Sequence, residues 1–83
     1  MESASIQRRF GIAVKEARVR LGYSQEEFAA EVGMHRTQLG HIEQGLKDCR
    51  LSTIARLSAA LGLSVSQLLN GVDAKKKGRA SSP

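Results

Sequence analysis

Residues 25–45 read QEEFAAEVGMHRTQLGHIEQG, and the reading of this stretch decides the fold. Ala29 lies four residues after Gln25, Gly33 lies four after Ala29, and Leu39 and Ile42 follow three apart. Two short helices that cross steeply through a very tight turn need these residue types. A small side chain at Ala29 lets the second helix of the pair approach. Gly33 lets the backbone turn without a Cβ clash. Leu39 and Ile42 fall on one side of the second helix and anchor it from beneath. This is helix-turn-helix geometry, in which the second helix of the pair is held outward.

The pattern extends in both directions. Upstream, Ile6, Phe10, Ala13, Val14, Ala17 and Leu21 step by three and four, which predicts a helix from about Ser5 to Leu21 stopped by Gly22. Ser24 and Glu27 have the spacing of a capping box, with Tyr23 and Phe28 as its hydrophobic staple. Phe28, Ala29 and Val32 form the inward face of this second helix. His35 takes the cap position of the third helix, with Met34 and Leu39 as a staple and Gly45 at its end. Residues 46–50 form a loop. A fourth helix presents Leu51, Ile54, Leu57 and Leu61 on one face and stops at Gly62. Ser64 and Gln67 make a second capping box, and a short fifth helix ends at Asn70-Gly71. Residues 1–71 therefore form one compact, all-α, five-helix domain with no strand. Residues 72–83 lack apolar periodicity and read as a disordered basic tail.

Composition narrows the function. A chain of 83 residues holds one core at most, and with 4% aromatic residues that core is aliphatic. The single Cys cannot form an internal disulfide. No apolar run approaches a membrane span or a signal peptide, which points to the cytoplasm. The net charge is +5, of which Lys75, Lys76, Lys77 and Arg79 against Asp73 contribute +3 in the tail. A polyanion partner is favoured. There is no acid–base pair, phosphate loop or nucleophile triad, so no enzyme is expected. His35, His41 and Cys49 lack the paired spacing of a zinc site, and no metal or cofactor is expected.

Arg18, Gly22, Ser24-Gln25-Glu26-Glu27, Ala29, Gly33, Ile42-Glu43-x-Gly45, Leu61-Gly62-Leu63-Ser64 and Leu68-Leu69 occur in one order and spacing. Over about residues 8–71 the chain thereby resembles the lambda-repressor-like domains of the Cro/C1 (XRE) type. The resemblance implies a sequence-specific regulator of transcription that binds double-stranded DNA and associates with the nucleoid. It also implies a structural salt bridge between Arg18 and Glu43 and a backbone-phosphate contact from Gln25. Three positions depart from the family pattern. His35 stands where Ser, Thr or Asn is common. Cys49-Arg50 replaces a Pro and a capping residue. Gly40 sits inside a helix at a cost of about 1 kcal/mol relative to Ala.

Helix geometry selects the side chains that face DNA. At about 100° per residue, with Leu39 at zero, the buried direction lies near −30°. Thr37, His41 and Gln44 fall at about 160°, 200° and 140° and point away from the core. Arg36 and Gln38 flank them at the N-terminal end, which enters the major groove first in this motif. Arg36 suits a guanine edge and Gln38 an adenine edge. Arg36, Thr37, Gln38 and His41 are therefore the expected base readers. Gln25, His35, Gln44, Lys47 and Arg50 are the expected phosphate contacts. So small a reading surface calls for a homodimer on a palindromic operator. Leu69 of the fifth helix and Leu46 of the loop, both expected to be exposed, are the dimer candidates. An antitoxin that binds a toxin, or a protein-bridging adaptor, is the alternative on the same fold.

Overall fold

The computed structural model describes residues 5–72. Five α-helices follow one another: α1 (Ile6–Arg20), α2 (Gln25–Val32), α3 (Arg36–Glu43), α4 (Leu51–Leu61) and α5 (Val65–Leu68). Their starts are set locally. Ser5 Oγ accepts from Arg8 N–H at 3.1 Å and caps α1. In α2 the Ser24 hydroxyl accepts from Glu27 N–H at 3.0 Å, while Ser24 N–H donates to Glu27 Oε1 at 2.9 Å. Ser64 and Gln67 form the same reciprocal box at α5, at 3.1 and 2.8 Å. Each box satisfies two N–H groups that a helix start otherwise leaves open.

Short helices of this kind hold together only by packing on one another. Val14, Phe28, Leu39 and Leu57 are the largest fully buried side chains, one from each of α1 to α4. The Tyr23 and Phe28 rings lie 5.5 Å apart at the start of α2. Gly33 takes φ of +85° at the end of α2, and its N–H reaches Ala29 O at 2.8 Å. This conformation compresses the α2–α3 connection to residues 33–35.

α1 and α3 meet at two glycines. A Cβ on Gly11 would lie 2.6 Å from Glu43 O, so only glycine lets the two helices come this close. Gly45, with φ of +79°, backs onto α1 so tightly that a Cβ there would lie 2.7 Å from Arg8 Cα.

Five residues differ from the sequence expectation. Ile6 and Leu21, the ends of the α1 stripe, are exposed, while Phe10, Val14 and Ala17 in its middle are buried. Leu51 is 73% exposed at the first position of α4, whereas Leu57, Ser58 and Leu61 are buried and Ile54 and Ala60 are half-buried against the core. Leu69, expected to be exposed, is half-buried against the core. Val72, placed in the tail, is instead buried, because Gly71 with φ of +87° turns the chain back and Val72 N–H bonds Leu69 O at 2.9 Å. The remainder of the expected tail, 73–83, lies outside the described residues.

Candidate nucleic-acid interface

α3 buries Leu39, Gly40, Ile42 and Glu43 and turns its other side outward. Arg36, Thr37, His41 and Gln44 are exposed, and Gln38 is half-buried. A shallow groove is lined by His35, Thr37, Gln38, His41 and Lys47. A second groove, lined by Gln38, Ile42, Lys47, Asp48, Cys49, Arg50 and Thr53, shares Gln38 and Lys47 with the first. The α3 face thus runs continuously into the loop before α4.

Two helix starts border this surface, those of α3 and α4. His35 and Arg50 occupy their cap positions, and neither side chain makes a capping hydrogen bond. The first-turn N–H groups of both helices are left without a side-chain acceptor, which makes each start receptive to an anion. Asp48 was not anticipated on this face, and its charge opposes those of Lys47 and Arg50 beside it. Cys49 is half-buried in the same loop. Burial raises its thiol pKa above the ordinary value; Asp48 adds to the rise and Lys47 opposes it. The thiol therefore stays protonated at neutral pH and is a poor nucleophile.

One buried cluster fixes α3 in place. Arg18 of α1 grips Glu43 of α3 with two bonds, Nε to Oε2 at 2.7 Å and Nη2 to Oε1 at 3.0 Å. The two side chains are only 8% and 3% exposed. Arg18 Nη1 also donates to Tyr23 O at 2.8 Å, and Gln25 Nε2 donates to Glu43 Oε1 at 3.0 Å. α1, the start of α2 and the last turn of α3 are joined through one carboxylate. Planar bidentate pairing suits Arg and carboxylate, and Tyr23 O and Gln25 satisfy further hydrogen-bonding capacity of the desolvated pair.

The arrangement has clear relatives. The helix-turn-helix family model (HTH_3) matches residues 14–68. The chain belongs to the Cro/C1-type helix-turn-helix family. Control protein C.MunI of Mycoplasma sp. is 35% identical over 66 residues, covering 78% of this chain and 89% of that protein. The crystal structure of the restriction-modification controller protein C.AhdI from Aeromonas hydrophila superposes with a TM-score of 0.72 at 32% identity, covering 75% of this chain and 94% of that one. SinR, a master regulator for biofilm formation solved in complex with DNA, gives a TM-score of 0.69 at 32% identity over 74% of this chain and 98% of that one.

Within this helix-turn-helix frame, Arg36, Thr37 and His41 stand on the outward side of α3, and His35 and Lys47 border the same groove. Gln44 is exposed at the far end of α3, and Arg50 lies one groove further along. Gln25, expected to contact a phosphate, bonds Glu43 within the free protein. Sequence reasoning passed over Gly11. Its signal was available as a glycine inside an otherwise regular helix, a known mark of close backbone approach. No described helix is long and apolar enough to cross a membrane.

Proposed function

We propose that this chain is a cytoplasmic regulator of transcription that binds a specific duplex DNA sequence through α3, as a homodimer on a two-fold operator. The observation that carries the reading is the split character of α3. Its inner side is locked by Leu39, Ile42 and the Arg18–Glu43 pair, while Arg36, Thr37 and His41 stand free beside Lys47. A helix held this way presents hydrogen-bonding side chains to base edges with little loss of freedom on binding. Arg36 reads a guanine in this proposal, with Thr37, Gln38 and His41 reading the neighbouring bases. His35, Gln44, Lys47 and Arg50 hold phosphates, helped by the open starts of α3 and α4. The control-protein relatives and the DNA complex of SinR support the same reading.

The test is a selection of bound sequences from random duplex DNA, repeated with Arg36→Ala. The parent should enrich one sequence. The variant should lose about 1–3 kcal/mol on it and relax preference at a single base position. A variant that selects the parent's sequence with the parent's affinity would show that the reading face is misassigned.

A further inference from the structure

The α3 face carries one charge of the wrong sign. Among the described residues that line its two grooves, Asp48 is the one acid, set among His35, Lys47 and Arg50. It is exposed in the loop before α4. Lys47 precedes it directly and Arg50 follows two residues later, yet neither pairs with it. Its carboxylate makes no ion pair or hydrogen bond among the described residues. The two cations thus stay available to another anion, and the acid stays uncompensated beside them. The fold does not use it: Asp48 lies outside the core, and α4 starts at Arg50 with no side-chain cap. It does line the groove that Gln38 lines.

Resting on the DNA-binding reading above, we infer that Asp48 is a specificity-determining residue that acts by repulsion, weakening the hold on random duplex more than the hold on the selected site. Binding without sequence preference rests on cations placed against phosphates. On the reading above, Lys47 and Arg50 supply such cations. A phosphate that either of them holds in this groove lies within the roughly 8 Å over which a charge is felt at physiological ionic strength. Asp48 therefore opposes every register that rests on phosphates alone. The seated complex differs in two ways. Its added stability comes from base edges met by α3, which the Asp48 charge does not oppose. It also holds the loop in one register, where the carboxylate shares its groove with the base reader Gln38 and borders base edges as well as phosphates. An unpaired charge set against the wrong partner is a general means of discrimination, and it costs the right partner less.

The experiment uses the full chain and two duplexes, the selected sequence and a random one. Each is cut to the length that one copy covers, so that contacts between copies do not enter. Affinities are measured over a range of salt concentrations for the parent, Asp48→Asn and Glu16→Gln. Asparagine keeps the size of the side chain and removes its charge. Glu16 is exposed on α1, about 140° around the helix from Gly11, where α1 meets α3. Its variant makes the same change in net charge away from the α3 face. Asp48→Asn should tighten binding to random duplex about five- to tenfold and to the selected duplex at most about twofold, so that discrimination falls several-fold. Its affinity for random duplex should also fall more steeply with salt, by about one power of the concentration. Glu16→Gln should stay within about twofold of the parent on both duplexes. Equal tightening of both duplexes by Asp48→Asn, or a tightening that Glu16→Gln reproduces, would show that the acid sets net charge only. Unchanged affinities, or weaker binding of the selected duplex, would also overturn the inference. In each of these cases the DNA-binding reading stands. A parent that binds no duplex overturns both readings at once.

Discussion

At the scale of single residues, the position with most influence on the fold is one with no side chain. Gly11 lets α1 settle directly on the last turn of α3, against the carbonyls of Ile42 and Glu43. A methyl group there would be 2.6 Å from Glu43 O, and the neighbour in the way is backbone, which cannot rotate aside. Gly11→Ala should therefore destabilise the domain. The helix-propensity gain of about 1 kcal/mol is outweighed by forced separation of the two helices, so a net loss of about 1–2 kcal/mol is expected. Urea titration with the slope unchanged checks it, and a variant as stable as the parent would mean that α1 and α3 do not approach this closely. The same separation would strain the Arg18–Glu43 contact, since Glu43 sits on the helix being pushed. Buried pairs broken on one side cost about 3–5 kcal/mol, so a partial loosening of this pair adds to the loss.

Elements show which parts of the structure were legible in the sequence. Helix starts with Ser followed three residues later by Glu or Gln could be read, because a capping box is a local device and forms wherever its residues occur. Inward faces could be read only where a neighbour extends far enough to cover them. The α1 stripe runs from Ile6 to Leu21, but only its middle is buried, and Ile6 lines an open groove; Leu51 belongs to the α4 stripe and is exposed. Periodicity states which residues share a side, and the length of the opposing element decides which of them are buried. Leu69 and Val72 were misplaced for the converse reason: a four-residue helix has no period to read, and the turn at Gly71 returns the chain to the core. The Arg18–Glu43 pair spans 25 residues, and its partnership was legible only through the family resemblance. Gln25 could be read as a polar residue at a helix start, but its bond to Glu43 depends on the crossing of α2 and α3. The glycines of the first and third helices look alike in sequence and differ in structure. At Gly40 the nearest atoms to an added Cβ are the Gln25 amide at 4.0 Å, an ordinary contact. Gly40→Ala should accordingly stabilise α3 and the domain by about 0.5–1 kcal/mol, opposite in sign to Gly11→Ala. A higher melting temperature with unchanged DNA preference is the expected result. A fall in melting temperature would mean that Gln25 is packed more tightly on α3 than this spacing allows.

For the whole molecule the governing quantity is specificity. On the proposed reading, four side chains of one small helix would discriminate only a few base pairs, each worth about 1–3 kcal/mol, whereas specific regulators are separated from non-specific binding by roughly 4–10 kcal/mol. Two copies on two half-sites close that gap, and the domain itself offers a surface for pairing. An apolar groove of about 220 Å³ is lined by Ile6, Phe10, Ile54, Leu69 and Val72, with Lys47, Asp48 and Cys49 on one rim. Leu46 immediately precedes that rim and is 65% exposed. A two-fold contact in which Leu46 of each copy covers the groove of the other would be self-complementary, as isologous interfaces are. It would lie beside the α3 face, so that both recognition helices meet one side of the duplex. Leu46→Gln tests this arrangement without changing charge. Its exposure means that folding should change by no more than about 0.5 kcal/mol. Binding to an isolated half-site should match the parent, while binding to the full two-fold site should weaken, with the complex shifting toward one protein per duplex in sedimentation. Equal full-site affinity and two proteins per duplex would move the pairing surface away from Leu46. The interface available is small, so pairing in free solution should be weak and should tighten when both half-sites are occupied, because the duplex holds the two copies at high effective concentration.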